Sequence, residues 1–438
     1  MAARTVPAFP AVRAHRALLA DPGDMLNRKA VAAAGAGRRV SGGAGASPPK
    51  RIFKSPQALR KRPSSPMKIT IERAALLRAL SHVQNVVERR NAIPVLSNTL
   101  IEAGRGRLQL CATDMDISVI DAVDAAVQKD GATTAPVHTL YDIVRKLPDG
   151  AQVEMVQQGD SSQLALRAGR SHFTLACLPR EDFPSMNDGE FPHKFELAAE
   201  EMRTIIDRTR FAISTEETRY YLNGIYCHAA ESQGLRLLRA VATDGHRLAR
   251  VEMPLPEGAE SMPGVIVPRK TVGELRRLLD ETNEPVKVAL SDTKVRFTFE
   301  RVVLTSKLID GSFPDYERVI PLANDKMLEI NRKSFAEAVD RVSTISTEKS
   351  RAVKLMLGNG SVTLQATSPD AGSASEEVEA SYGAGGFEIG FNSRYLLDIL
   401  LQIEGDTAQF MLADAGSPTV IRDRADATAL YVLMPMRV

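Results

Sequence analysis

The 438-residue chain has no tryptophan, three cysteines and no apolar run that approaches the ~20 residues of a membrane-spanning helix. Cys111, Cys177 and Cys227 lie far apart and are odd in number, so they fit neither a disulfide framework nor a zinc site. Such cysteines are typical of the reducing cytoplasm. We therefore expect a cytoplasmic protein with no membrane partner and no bound metal.

Motifs of catalysis are also missing. The sequence has no G-x-x-x-x-G-K-[ST] phosphate loop, no G-x-S-x-G elbow and no H-E-x-x-H motif. His246 lies two residues after Asp244, but neighbours that close in a turn do not face a common substrate, and no Ser or Cys nucleophile accompanies them. We therefore expect no catalytic residue and no cofactor, and a structural or binding role for His246 and Arg247.

Charge is unevenly distributed along the chain. Residues 1–66 hold 13 Lys and Arg against two acids, Asp21 and Asp24, whereas the remaining 372 residues hold 43 basic and 52 acidic side chains. An acidic folded part does not match a simple basic-patch DNA-binding protein. Any role on nucleic acid must therefore depend on where the basic residues lie.

Residues 1–66 are rich in Ala, Gly, Pro and Arg and lack the apolar periodicity of a core. This composition predicts a disordered basic extension. Three interpretations remain open. The segment is an upstream translation artefact with Met67 as the real start, a flexible basic tail with weak DNA affinity, or an Arg-rich, acid-poor transit peptide.

One short motif recurs at the spacing of a whole domain. Ala-Thr-Asp at 112–114 and 242–244 is followed by Ala-Thr-Ser at 366–368, at offsets of 130 and 124 residues. A period of this length indicates that one structural unit is repeated three times. The central copy continues into an Asp-Gly turn with His246 and Arg247 beside it.

Other landmarks share the period, since alternating strands that run into helices open at 68, 194 and 327. Each unit reads as a strand, a helix, several strands, a helix and several strands. We therefore predict the α+β class, with two helices packed on antiparallel sheets in each repeat. The predicted domains cover residues 67–191, 192–321 and 322–438.

Several predicted helices, including those at about 140–147, 200–211 and 393–403, share an apolar stripe. Most carry Arg and Lys on the opposite face, as Arg203 and Arg208 do in the second unit. A solvated face explains any single helix. Because the chain is otherwise acidic, repeated basic faces in symmetric units indicate one common surface.

The C-terminus is apolar to its end, from Ala429 to Val438. Chain ends are normally polar and frayed. Two interpretations stay open: a closing edge strand, or an exposed patch lined by Met434 and Met436 that binds partner peptides, since methionine suits adaptable surfaces.

These features together resemble the bacterial sliding clamps, the beta subunits of DNA polymerase III, from Met67 to Val438. The resemblance is carried by long motifs that occur in the family's order. They are Arg219-Tyr220-Tyr221-Leu222-Asn223-Gly224, Ala242-Thr243-Asp244-Gly245-His246-Arg247-Leu248-Ala249, Val267-Pro268-Arg269-Lys270, Thr305-Ser306-Lys307-Leu308-Ile309-Asp310-Gly311, Phe313-Pro314-Asp315-Tyr316 and Tyr431-Val432-Leu433-Met434-Pro435-Met436-Arg437. Residues 1–66 have no counterpart in the family.

The resemblance implies a head-to-tail homodimeric ring of six similar domains around duplex DNA in the bacterial nucleoid. Its helices would face the phosphates without reading sequence, and the closed ring would confer processivity. The polymerase III alpha subunit, the clamp loader, other polymerases and repair proteins would each insert a short hydrophobic peptide into a cleft between the second and third domains.

The same resemblance implies three sets of site residues. The DNA-facing set is Arg90, Arg219, Tyr220, Tyr221, Arg269 and Lys270. The partner-peptide cleft is Leu222, Thr243, Gly245, His246, Arg247, Leu248, Pro314, Arg318, Val319, Val432, Met434, Pro435, Met436 and Arg437. The dimer interface is Arg170, His172, Phe173, Leu175, Ile345, Glu376 and Glu377.

Two other functions compete with a clamp. A peptide-binding scaffold of the same fold that does not encircle DNA is the first, and the basic helix faces argue against it. An enzyme is the second, and the missing nucleophile, metal and phosphate motifs argue against it.

Overall fold

The computed structural model describes residues 66–159, 161–186, 189–346 and 351–437. All of them lie in one compact unit that covers residues 62–438. The extension predicted for residues 1–66 lies outside the described residues except for Pro66. In the part of the chain that is described, no helix has both the length and the apolar character that crossing a membrane requires.

The first third of this unit alternates strands with two helices in the predicted order. Its elements are β1 (Met67–Glu72), α1 (Arg73–Gln84), β2 (Asn98–Gly104), β3 (Arg107–Thr113), β4 (Ile117–Asp124), β5 (Ala126–Lys129), β6 (Gly131–Pro136), α2 (Val137–Lys146), β7 (Gln152–Gln157), β8 (Gln163–Ala168) and β9 (Ser171–Ala176).

The second third repeats the order. Its elements are β10 (His193–Leu197), α3 (Ala199–Arg210), β11 (Gly224–Ser232), β12 (Leu235–Thr243), β13 (Arg247–Pro254), β14 (Val265–Pro268), α4 (Arg269–Leu279), β15 (Val286–Leu290), β16 (Lys294–Phe299) and β17 (Val302–Lys307).

The last third repeats it again. Its elements are β18 (Lys326–Asn331), α5 (Arg332–Ser343), β19 (Ala352–Gly358), β20 (Ser361–Ser368), β21 (Gly372–Tyr382), β22 (Phe387–Asn392), α6 (Ser393–Leu400), β23 (Thr407–Leu412), β24 (Thr419–Asp423) and β25 (Ala429–Leu433). Short 3₁₀ helices cover Pro94–Ser97, Arg180–Asp182, Glu217–Leu222 and Tyr316–Val319.

Local sequence explains where strand gives way to helix. In β1 the side chains of Met67 and Ile69 are buried while Lys68 between them is exposed, as a half-buried strand requires. Glu72 then caps α1 by accepting a hydrogen bond from the Ala75 amide at 3.0 Å. Asn331 caps α5 in the same way.

Two predicted helices differ at their ends. The helix expected at about 140–147 begins three residues earlier, because Pro136 has the fixed backbone that allows a helix to start directly after it. The helix expected to reach residue 403 ends at Leu400, since the amides of Gln402 and Ile403 bond to carbonyls three residues back rather than four, which forms a tighter turn.

The sheets run across the boundaries between the repeats. β17 of the second repeat pairs with β4 of the first, and β25 of the third pairs with β13 of the second. Both junctions are antiparallel. Because of this pairing, one apolar core extends through all three repeats.

Candidate functional site

The turn from Thr243 to Arg247 is fixed by its own side chains. The Thr243 hydroxyl donates to the Arg247 carbonyl at 2.7 Å and accepts from the Gly245 amide at 3.1 Å. Asp244 Oδ1 accepts from the amides of His246 and Arg247 at 2.9 and 3.0 Å. Gly245 has a φ of +88°, which glycine adopts without strain. The turn therefore presents the exposed His246 ring on a rigid base.

The same turn occurs in the first repeat. Thr113 donates to the Ile117 carbonyl at 2.8 Å, and Asp114 Oδ1 accepts from the amides of Asp116 and Ile117. Met115 takes the place of the glycine and has a φ of +79°. The structure thus confirms the first two copies of the sequence motif as equivalent turns.

The C-terminal strand closes on the central turn. Leu248 pairs with Val432 in the β13–β25 ladder, and the Met434 amide donates to the His246 carbonyl at 2.9 Å. Two residues on, the Met436 amide donates to the Gly390 carbonyl at 2.8 Å. The C-terminus forms a strand, β25, but not the predicted edge strand, because β25 pairs with β13 on one side and with β24 on the other. The turn and the C-terminus lie side by side.

A separate apolar cluster lies beneath this contact. It joins the second and third repeats to the connector that carries Tyr316. Its buried members are Val241, Leu248, Tyr316, Ile320, Val420 and Val432. Val319, which precedes the buried Ile320, and Met434, which follows the buried Leu433, are 50% and 40% exposed. A surface with a buried apolar base and exposed apolar rim is suited to peptide binding.

Sequence reasoning missed the network that anchors this connector. Arg239, only 7% exposed, donates to Glu252 and Glu317 at 2.5 Å each and to the Tyr316 hydroxyl at 3.3 Å. His228 Nε2 lies 2.9 Å from the same hydroxyl. Burial, helped by the nearby Arg239 charge, lowers the pKa of His228, so its ring stays neutral. The network fixes the connector against the central sheet.

The Arg247 side chain makes several contacts within the chain. Its side chain is 10% exposed and donates to Asp398 Oδ2 at 2.5 Å and to the Phe211 carbonyl at 2.6 Å. The guanidinium also lies 4.3 Å from the centre of the Tyr395 ring. Arg247 therefore joins the second repeat to the third.

The other residues of the predicted cleft divide by exposure. Thr243 and Leu222 are buried. Arg318 is exposed and paired with Asp315 at 2.7 Å. Further exposed or half-exposed positions of the predicted set are Gly245, His246, Pro314, Pro435, Met436 and Arg437.

The predicted DNA-facing residues also divide into two groups. Arg90, Arg269 and Tyr220 are exposed, and Tyr221 packs edge-on against Tyr220. Two basic members already have partners. Arg219 donates to both carboxylate oxygens of Glu216, at 2.7 Å each. Lys270 lies 2.5 Å from Asp114 in the neighbouring repeat.

Basic residues on the helices are less free than the sequence indicates. Arg203 donates to two backbone carbonyls after α4, at 2.8 and 2.9 Å. Arg276 pairs with Asp207 and Asp280, and Arg277 pairs with Glu274. The contacts of Arg203 and Arg276 hold α3 and α4 together within the second repeat.

A buried histidine lies at the junction of the first and second repeats. His82 is 1% exposed, with Nδ1 2.7 Å from Asp121 and Nε2 2.9 Å from Glu281. Burial opposes the charge of the ring, but the hydrogen bonds and charges of the two carboxylates outweigh it, so the pKa of His82 is raised. Arg78 and Arg277 also contact this cluster.

The predicted dimer residues lie on strand edges. β9 is the last strand of its sheet and carries the half-buried Phe173. β21 pairs with β20 along one side, whereas only residues 380–382 pair with β18 on the other. Among the described residues, β9 and the first part of β21 therefore have an open edge. Ile345 follows α5, half-buried against the core.

Three family models match the chain in order. The N-terminal, central and C-terminal domains of the DNA polymerase III beta subunit match residues 67–187, 196–315 and 317–437. Together with the repeated fold and the continuous sheets, these matches define a clamp built from three similar domains.

Named relatives agree. A beta sliding clamp of Caulobacter vibrioides is 56% identical over 372 residues, which is 85% of this chain and 100% of the relative. That of Escherichia coli K12 is 39% identical over 375 residues, with the same coverage. A crystal structure of the Caulobacter crescentus clamp gives a TM-score of 0.84 at 55% identity and covers 86% of this chain and 100% of its own. A Bartonella birtlesii clamp bound to griselimycin gives 0.83 at 52%, covering 85% and 100%.

The chain belongs to the DNA polymerase III beta subunit family, the DNA sliding clamps of replication.

Proposed function

We propose that two copies of the chain join head to tail into a closed ring of six clamp domains around duplex DNA. The observation that supports this proposal is that two equivalent strand junctions form within the chain, while two equivalent strand edges of the described residues have no neighbour. The last strand of each domain pairs with the third strand after the first helix of the preceding domain. β9 ends the first domain and has no preceding domain, and β21 of the third domain has no following one. A second copy supplies both.

The repeat also indicates which residues would pair at the proposed junction between two copies. Leu304 pairs with Val119 at the first junction, and Tyr431 pairs with Ala249 at the second. The corresponding residues of the remaining edges are Phe173 and Ala374, from the ladders that β8 and β20 form with them. Phe173 would therefore pair with Ala374 of the partner subunit.

This register brings opposite charges together. Counting outward from Phe173 in antiparallel order places Arg170 opposite Glu377 of the partner subunit and His172 opposite Ser375 of the partner subunit. Directly opposed side chains share one face of a sheet, where opposite charges stabilise pairing. Leu175 and Ile345 would supply apolar contacts at this interface.

DNA would be held through contacts to its phosphates, which do not depend on the base sequence. Arg90, Arg269 and Tyr220 are the exposed members of the DNA-facing set. Arg219, Tyr221 and Lys270 complete it, although the two basic residues would first exchange their intramolecular carboxylates for phosphates. Weak contacts to phosphates carry no sequence information and allow sliding.

We place the domain boundaries at 67–191, 192–321 and 322–438.

The protein would act as a non-catalytic tether in the bacterial cytoplasm. Polymerase III, the clamp loader and repair proteins would compete for the apolar surface around Val319 and Met434. The exposure of these two side chains above the buried cluster supports this assignment. The buried Arg247 would shape this surface from behind.

Met434→Ala tests the cleft. We expect a fluorescent peptide of the Gln/Leu/Phe type to bind at least about tenfold more weakly, because a few apolar anchors supply most of the affinity of such a site. The ring should stay intact. Met327→Ala is the matched control, since Met327 is 47% exposed on β18. Equal peptide affinity in Met434→Ala and wild type would remove Met434 from the cleft.

Sedimentation separates the ring from the alternative scaffold. The ring predicts a species of twice the 47.6 kDa chain mass at micromolar concentration. A monomer at all accessible concentrations would leave the non-encircling scaffold as the function.

A further inference from the structure

The two closed junctions share a second contact, which lies between helices rather than strands. The first helix of each domain has 12 residues. Its tenth residue is His82 in α1, Arg208 in α3 and Arg341 in α5. At both closed junctions this residue reaches an acid of the following domain.

The distances are similar at the two junctions. His82 Nε2 lies 2.9 Å from Glu281, which follows α4. Arg208 Nη2 lies 3.1 Å from Glu404, which follows α6. The side chains of His82 and Arg208 are 2% and 12% exposed, whereas those of Glu281 and Glu404 are 42% and 78% exposed, so in each contact a buried cation meets an acid that still reaches solvent. At each junction, an acid that follows the second helix of one domain thus contacts a cation near the end of the first helix of the preceding domain.

The first domain has an acid at the same place. Asp149 lies 12 residues after the first residue of α2, as Glu281 does after the first residue of α4. A backbone contact supports the correspondence with Glu404. The Arg73 amide that opens α1 bonds to the carbonyl two residues after Asp149, and the Arg332 amide that opens α5 bonds to the carbonyl two residues after Glu404.

Arg341 and Asp149 are both exposed in the single chain. The Arg341 side chain is 57% exposed and the Asp149 side chain 95%. Arg341 donates Nε and Nη2 to Glu376 of its own domain. Glu376 corresponds to Asp121, since each lies opposite a leucine two residues before the repeated Ala-Thr. Arg341 thus repeats the contact of His82 with Asp121. The contact still to be matched is the second one of His82, with Glu281 of the following domain.

We propose that Arg341 binds Asp149 of the partner subunit at each of the two junctions that close the ring. The inference rests on the head-to-tail dimer proposed above and adds a helix-to-helix ion pair to its strand pairing. Arg341 Nη1 takes no part in the bidentate contact with Glu376 and lies 4.0 Å from Glu337, so it can donate to a closer carboxylate. Asp149 uses Oδ1 for Arg73 at 2.6 Å, which leaves its second oxygen for Arg341.

A charge-swap cycle tests the pair. Arg341→Glu and Asp149→Lys should each raise the dimer dissociation constant at least about tenfold at low salt, because each leaves like charges opposed at two junctions. The double variant should recover to within about threefold of wild type, since the charges are again opposite. Arg341→Met provides a neutral variant, in case a glutamate beside Glu376 disturbs α5.

Asp142→Lys is the matched control. Asp142 lies on α2, exposed and paired with Arg145, and not at the position that corresponds to Glu281. It should not rescue Arg341→Glu. A wild-type dimer in which the Arg341 and Asp149 changes are additive would overturn the ion pair and leave the ring. A wild-type chain that stays monomeric would overturn both.

Discussion

The strand junctions between domains and the open strand edges of this chain are equivalent positions of one repeated fold, paired in the first case and unpaired in the second. Leu304 and Tyr431 are 0% and 1% exposed where their strands meet the neighbouring domain, whereas the corresponding Phe173 is only half-buried. The strands themselves are alike. The proposed association of two chains would remove this difference, because it would bury Phe173 as Leu304 and Tyr431 are buried.

The closed junctions are also stabilised by charges that the open edges lack within one chain. Arg247 and Arg208 tie the second domain to the third, and His82 ties the first to the second. Removing one partner of such a buried pair leaves the other uncompensated, which costs much more than an exposed pair contributes.

Arg247→Ala gives the largest expected effect, because it breaks a closed junction. We expect the free energy of unfolding to fall by about 3–5 kcal/mol, since Asp398 and the Phe211 carbonyl lose a shielded cation. Denaturant titration measures the change. The control is Arg107→Ala in the first domain. Arg107 and Asp124 form an exposed ion pair within that domain, with side chains 60% and 70% exposed, and its loss should cost less than about 1 kcal/mol. Equal losses in the two variants would contradict a structural role for Arg247.

Phe173→Asp comes next and acts on the open edge. We expect the dimer dissociation constant to rise at least about a hundredfold, because a carboxylate at each junction would be buried against Ala374 of the partner subunit. Sedimentation equilibrium measures this effect. The monomer should keep its circular dichroism spectrum, since Phe173 is half-exposed there.

Leu235→Asp is the control for this variant. Leu235 is 64% exposed at the start of β12, away from both open edges. It should leave the dimer unchanged. If it dissociates the dimer as strongly as Phe173→Asp, the open edges are not the interface.

We expect His82→Gln to have the smallest effect on the free energy of unfolding. Its effect should depend on pH, because the first junction is tied by a histidine and the second by arginines. The pKa of His82 is raised above its ordinary 6.5, so the charged ring stabilises the fold fully below that pH and the contribution is lost as pH rises through the raised pKa. We expect the variant to be less stable than wild type by about 1–3 kcal/mol at low pH. This difference should shrink as the pH rises.

Denaturant titrations across the range from about pH 6 to about pH 9 measure the difference between the two proteins. A difference that stays constant with pH, or grows, would mean that His82 is not a charged tie between the domains.

Much of the fold could be predicted from the sequence, because the Ala-Thr motifs and the strand openings repeat at domain length. Helix ends were less predictable. The start at Val137 depends on Pro136 and the end at Leu400 on a backbone turn, and neither changes the apolar periodicity.

The sites were only partly predictable for the same kind of reason. The family resemblance implied that His246 and Arg247 line one cleft, and the structure shows the His246 ring exposed and the Arg247 guanidinium bonded across the domain junction. The link between Arg239 and Tyr316 spans distant segments, so no local pattern reveals it. The equivalence of His82, Arg208 and Arg341 was present in the repeat spacing.

Retention on DNA tests the ring most directly. The chain would be loaded onto nicked circular plasmid with a matched clamp loader and ATP, and the plasmid then linearised. The account predicts that protein stays on circles and is lost from linear ends, because topology rather than contact holds it. Equal retention on both forms would show that contacts hold the protein, and would contradict the ring.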